Sequence, residues 1–160
     1  MMSKKQTSED GIKIVAQNRR ARHDYELLER FEAGLVLTGT EIKSVRDHKV
    51  SLQNSFVQVR NGELWLIDAN IAPYVHGNRE NHEPTRPRKL LLHRREIGKV
   101  MDAVTTKGIT LIPLRVYLKK GWAKLDFAIA RGKKLYDKRQ DLAKRDARRQ
   151  VERALREKYR

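Results

Sequence analysis

The sequence predicts a mainly β domain: an antiparallel sheet, closed or partly closed into a barrel, carrying two or three short helices and a basic C-terminal tail. Three observations lead there. Asn61-Gly62 separates two alternating apolar/polar runs within Phe56–Ile67, and these two residue types tolerate the positive φ values of a two-residue hairpin turn. A second pair of alternating runs spans Ile109 to Ala130 about Lys119-Lys120-Gly121. Helical spacing is confined, within the aliphatic part of the chain, to two short stretches.

In chain order, residues 1–11 are polar and aperiodic and read as a flexible tail. The folded body is expected over residues 12–131, where nearly all the aliphatic alternation lies. Tyr25 to Leu37 reads as the first strand. Thr38 followed by Glu41 has capping-box spacing ahead of Ile42 and Val45, which predicts a short helix. In the first hairpin Val59 should face Leu64, Val57 should face Leu66, and Arg60 should pair with Glu63 beside the turn. Lys89 to Leu92 reads as another strand. Ile97, Val100, Met101 and Val104 then recur at helical spacing up to Gly108. In the second hairpin Leu114, Val116 and Leu118 should point inward with Ala123, Leu125, Phe127 and Ile129, leaving Arg115, Tyr117, Trp122 and Lys124 on the opposite face. Closure would remove exposed strand edges. An OB-type barrel is one solution; an SH3-like barrel and an α+β sandwich fit the same periodicity.

Composition narrows the function. The 160 residues carry 36 lysines and arginines against 20 acids, a net charge of +16 with histidine neutral, which points to a polyanionic partner. There are no cysteines, so a disulfide framework, a thiolate zinc site and a cysteine nucleophile are excluded. No apolar run approaches membrane-spanning length and no signal peptide is visible; a cytoplasmic, monomeric protein is expected. His23, His48, His76, His82 and His93 show no metal-ligand spacing, and phosphate-loop, nucleophile-elbow and dinucleotide motifs are lacking. No enzyme activity, metal or small-molecule cofactor is expected.

Four constellations remain. Asn18-Arg19-Arg20-Ala21-Arg22-His23-Asp24-Tyr25 interleaves cations with planar groups, as phosphates and unpaired bases together require. Thr85 to Arg95 sets basic clusters on either side of an apolar strand whose leucines read as core. The basic and aromatic face of the second hairpin is a candidate stacking platform, although Trp122 could instead cap the barrel end. Over Lys133–Arg160 twelve basic residues outnumber five acids, and Ala143, Ala147, Val151, Leu155 and Tyr159 recur every fourth residue. So thin an apolar stripe, helped by i, i+4 pairs worth roughly 0.2–0.5 kcal/mol each, does not offset the cost of ordering an isolated helix. Residues 132–160 are therefore expected to be disordered alone and helical against a polyanionic groove; a permanently solvated basic tail is the plainer reading.

Asn18 to Tyr25, Phe31-Glu32-Ala33-Gly34-Leu35, Gly39 to Arg46, Ala69-Asn70-Ile71-Ala72-Pro73, Arg88 to Leu92 and Gly132 to Arg139 follow one another in an order that closely resembles the small protein B family of bacterial SsrA-binding proteins. The resemblance covers nearly the whole chain. It implies an OB-type barrel that binds the tRNA-like domain of transfer-messenger RNA and brings it to stalled ribosomes for trans-translation. It also implies that Asn18, Arg19, Arg20, His23, Glu32, Lys89 and Leu91 lie at or near the RNA contact, with Trp122, Lys124 and Lys134 nearby. Gly132, Lys133, Tyr136, Asp137, Lys138 and Arg139 would serve the ribosome, where the tail meets small-subunit RNA at the decoding centre and the empty mRNA channel. Some relatives have histidine at Tyr136; either ring can stack, but tyrosine does not change charge near neutral pH. Contacts with the aminoacyl-tRNA elongation factor and alanyl-tRNA synthetase are expected only through the shared RNA. A non-specific RNA chaperone or basic nucleic-acid-binding protein is the competing reading; it accounts for the charge but not for the ordered motifs.

Overall fold

The computed structural model describes residues 11–76, 81–133 and 135–158. Its elements are β1 (Ile12–Gln17), α1 (Ala21–Asp24), β2 (Tyr25–Leu35), α2 (Gly39–Arg46), β3 (Val50–Ser51), β4 (Phe56–Arg60), β5 (Glu63–Ile67), β6 (Asn70–Ile71), β7 (Arg88–Leu91), α3 (Arg94–Val104), β8 (Ile109–Lys119), β9 (Trp122–Gly132) and α4 (Leu135–Lys158). Seven strands form one antiparallel sheet in the order β1-β8-β9-β2-β7-β5-β4, while β3 and β6 make a separate short ladder. The fold is mainly β, as expected, but the sheet is not closed. It curls until β4 lies near β8, yet no ladder joins them, and β1 and β4 remain edges.

Both hairpins follow from their turns. Asn61 and Gly62 have φ of 49° and 75°, and the register pairs Val59 with Leu64, Val57 with Leu66 and Arg60 with Glu63. Lys120 and Gly121 make the second turn at φ of 51° and 81°, with Lys119 opposite Trp122. Glycine fits such a turn because no Cβ resists positive φ.

Two bulges redirect the long strands. In β8 the pairing shifts between Pro113 and Arg115, leaving Leu114 as the extra residue. Alternation alone placed Leu114 inward with Val116 and Leu118; instead the bulge reverses the facing sense, so Leu114 joins Ile112, Ala128, Ala130 and Ala21 of α1 in a small second cluster. In β2 the shift falls at Leu28. The main core lies on the concave side, where Leu64, Leu90, Leu125 and Phe127 are fully buried, Phe31 stacks on Phe127 with ring centroids 5.5 Å apart, and α2 and α3 contribute Val45 and Val100.

The α2 start is the expected capping box: Glu41 N donates to Thr38 Oγ1 and Thr38 N donates to Glu41 Oε1 at 2.9 Å. Glu41 does more than cap. Its buried carboxylate accepts from Arg88 Nε at 2.6 Å and from Arg86 Nη2 at 2.5 Å, and Arg88 also donates to the Ala69 and Pro84 carbonyls at 2.7 and 3.0 Å. Arg88 has a relative exposure of 0%. Two of the five lysines and arginines between Thr85 and Arg95 thus form an internal clasp, which joins α2, β7 and the segment before β7. Burial pushes the Glu41 carboxyl up, but hydrogen bonds from Arg86, the Thr38 backbone and Arg88 outweigh it and leave the pKa below its usual value.

Candidate nucleic-acid interface

The side of the sheet away from the main core is built by register. Lys119 and Trp122 face each other across β8 and β9; Tyr117, Lys124, Gly34 and Leu91 then form one cross-strand row through β8, β9, β2 and β7; Arg115, Asp126 and Glu32 form the next. Lys89 belongs to the same face of β7, opposite Trp65 of β5. Five residues separated by as many as 92 positions, namely Glu32, Lys89, Leu91, Trp122 and Lys124, therefore share one face. A Cβ on Gly34 would sit 3.5 Å from Leu91 Cβ and 3.9 Å from Lys124 Nζ, so glycine leaves the middle of that row low.

The rings on this face have different fates. Trp122 is 72% exposed and available for stacking, so it does not cap the interior. Tyr117 is fully buried. Its hydroxyl donates to Glu32 and lies 3.1 Å from Asp126 Oδ1, while Arg115 lies over its ring at 4.9 Å. Arg115 Nε also donates to Asp126 at 2.6 Å; Arg30 and Lys119 reach Asp126 and Glu32 at 3.6 and 3.7 Å. Burial, with the two carboxylates, pushes the Tyr117 phenol far above its ordinary range and keeps it a donor at all physiological pH. Tyr117 is a strut that holds Glu32, not a platform. Leu90 is core while Leu91 is 53% exposed, so one of the paired leucines belongs to the surface.

The motif Asn18 to Tyr25 lies at one end of this face. β1 precedes it, so Tyr25 opens the second strand. Asn18 is bound to the β8 bulge: its side-chain amide donates to the Pro113 carbonyl at 3.0 Å and its backbone N–H to the Leu114 carbonyl at 2.7 Å. This anchoring leaves Arg19 and Arg20 exposed and lets Ala21 cover the second cluster. Asn18, Arg19 and Arg22 line a cavity of about 500 Å³ with Arg30 and Arg115. His23 Nδ1 and Asp24 Oδ1 are 2.9 Å apart. Alternation gave no sign of Arg30, because the Leu28 bulge, which sets its side, is a tertiary feature.

Of the expected tail residues, Gly132 ends β9, and Lys133 folds back on α1, its Nζ donating to the Arg22 carbonyl at 2.8 Å. Tyr136, Asp137, Lys138 and Arg139 fall in the first turns of α4. Lys134 and residues 1–10 lie outside the described residues, as does Tyr159 of the tail stripe. The side chains of Leu142, Val151 and Leu155 are exposed. Among the described residues there is no group of three metal-ligating side chains, and no helix is long and apolar enough to cross a membrane.

A family model described as SmpB protein matches residues 15–157. The chain belongs to this family. The SsrA-binding protein of Carboxydothermus hydrogenoformans is 54% identical over 147 residues, covering 92% of this chain and 99% of that one. That of Desulforudis audaxviator is 58% identical over 146 residues, covering 91% and 95%. A solved chain described as "tmRNA-SmpB: a journey to the center of the bacterial ribosome" superposes with a TM-score of 0.63 at 50% identity, covering 74% of this chain and 84% of its own. The SmpB match spans both the sheet and most of α4.

Proposed function

We propose that this SmpB-family chain is an RNA-binding adaptor: it binds the tRNA-like domain of transfer-messenger RNA and delivers it to stalled ribosomes for trans-translation. The observation that carries the reading is the single face joining Trp122, Lys124, Leu91 and Glu32 to the arginine-lined end at Arg19, Arg22, Arg30 and Arg115. Phosphates meet the arginines and lysines, one or more unpaired bases meet Trp122 and Leu91, and the Glu32 carboxylate, held by Tyr117, accepts from a base or ribose donor. Asn18 acts by fixing the loop that presents Arg19 and Arg20, and His23 stands beside them. Lys89 borders the same surface. The curled open sheet is consistent with an OB-type fold, which commonly presents a sheet face to nucleic acid.

The tail is the second RNA surface. α4 leaves Leu142, Val151 and Leu155 facing solvent, the composition of a helix that gains stability only against a partner. Small-subunit RNA at the decoding centre and empty mRNA channel supplies that partner, with Tyr136 stacking and Lys138 and Arg139 pairing with phosphate, while Lys134 stays near the tRNA-like contact. The elongation factor and alanyl-tRNA synthetase meet the protein through the RNA they share, in the cytoplasm. The adaptor holds RNA and makes no bonds.

The test compares the full chain with one cut after Lys133, which spares β9 and the Lys133 contact with α1. Selective binding of transfer-messenger RNA over bulk tRNA is expected to survive while peptide tagging on stalled ribosomes is lost. Equal loss of both would overturn the division between the two surfaces. Binding that bulk tRNA or duplex DNA competes away equally would favour the non-specific chaperone.

A further inference from the structure

A cleft of about 350 Å³ lies at the turn end of the first hairpin, lined by Arg60, Asn61, Glu63, Trp65 and Pro87. It is within the size range of small-ligand clefts. Trp65 is unlike its neighbours: Leu64 and Leu66 point into the core and are fully buried, whereas Trp65 faces the other way and is only partly buried. Nothing in the hairpin requires an indole there, since the register is already set by Asn61-Gly62 and the apolar pairs of the inner face. Its cross-strand partner is Lys89, and Leu91 is the next residue on the same side of β7. The cleft is therefore continuous with the face assigned to RNA above.

We infer that the Trp65–Pro87 cleft holds one unpaired nucleobase of the bound RNA, stacked on the indole, with Arg60 taking the adjoining phosphate. The inference rests on the RNA-adaptor reading and extends its surface across β7 to β5. Pro87 gives a rigid wall because its ring fixes φ. Arg60 lines the cleft and its Nε donates to Gln58 Oε1 at 2.8 Å; Lys89, opposite Trp65, has its Nζ 3.2 Å from Glu63 Oε1, an exposed pair that screening keeps weak. A flat aromatic ring beside exposed cations suits a base and its phosphate. A proline-rich peptide would want a ridge of several aromatic rings, and the cleft has one.

The experiment measures affinity of the full-length protein for the isolated tRNA-like domain of transfer-messenger RNA, at several salt concentrations, for wild type, Trp65→Phe, Trp65→Leu and Trp65→Ala. Circular dichroism and thermal unfolding confirm that each variant is folded. Stacking predicts near wild-type affinity for Trp65→Phe and about five- to thirty-fold weaker binding for Trp65→Leu and Trp65→Ala, with the salt slope unchanged because no charge is removed. Arg60→Gln should instead lower the salt slope by about one. Equal affinity in all four proteins, equal loss in Trp65→Phe and Trp65→Ala, or loss only in ribosome tagging would each overturn the inference; the last would give the cleft to the ribosome. Failure of wild type to prefer this RNA over bulk tRNA would refute the adaptor reading itself, and the inference with it.

Discussion

Replacing Arg88 by methionine removes a fully buried guanidinium, takes one of its donors from the Glu41 carboxylate and from the Pro84 carbonyl, which keeps the Ile71 N–H, and removes the side-chain donor to the Ala69 carbonyl. Breaking one partner of a buried pair costs about 3–5 kcal/mol, because the remaining charge stays desolvated. Arg86 still reaches Glu41 at 2.5 Å, which places the expected loss at the lower end, about 3 kcal/mol. Against a total stability of roughly 5–15 kcal/mol, that is a large fraction. The sign of the pH dependence is the sharper test. In the wild type Glu41 titrates below its usual value, so its stabilisation is full above the unfolded pKa of about 4.3 and is lost as pH falls through the lower folded value. In the variant the lowering by Arg88 is gone while burial, Arg86 and the Thr38 backbone remain, so the folded pKa moves up toward the unfolded one and less stabilisation is left for acid to remove. Urea unfolding of both proteins should therefore show a gap that is widest near neutral pH and narrows below about pH 5. A neutral-pH loss under about 1 kcal/mol, or a gap that widens in acid, would refute the reasoning.

Three further outcomes are expected. If the body neutralises about six phosphates, log affinity for transfer-messenger RNA should fall against log salt with a slope of roughly −5, and a slope near zero would contradict the phosphate contacts. Tyr136→Ala should impair peptide tagging while leaving RNA binding intact, and equal loss of both would refute the division between the two surfaces. Thr38→Ala removes the side-chain acceptor of the α2 capping box and should cost about 1 kcal/mol in urea unfolding with RNA affinity unchanged; a measurable affinity loss in a folded variant would show that α2 touches the RNA.

Local signals decided much of this protein. Asn61-Gly62 determined a hairpin and its register, since positive φ and strand twist leave few alternatives. Thr38 with Glu41 marked the start of α2, because the first N–H groups of a helix need acceptors close in sequence. The surplus of charge and the ordered motifs determined the class of partner and the family. Tertiary structure decided which side chains share a surface. The Leu114 and Leu28 bulges switch the facing sense of β8 and β2, and an unpaired residue leaves no trace in an alternating pattern until its partner strand is known. Arg88 reads like any basic residue until Glu41, 47 positions away, is folded against it. Tyr117 reads as a stacking ring until Glu32 and Asp126 claim its hydroxyl. Charge and periodicity are properties of the chain, whereas burial and pairing depend on contacts between distant segments, so only the folded sheet separates struts from contacts.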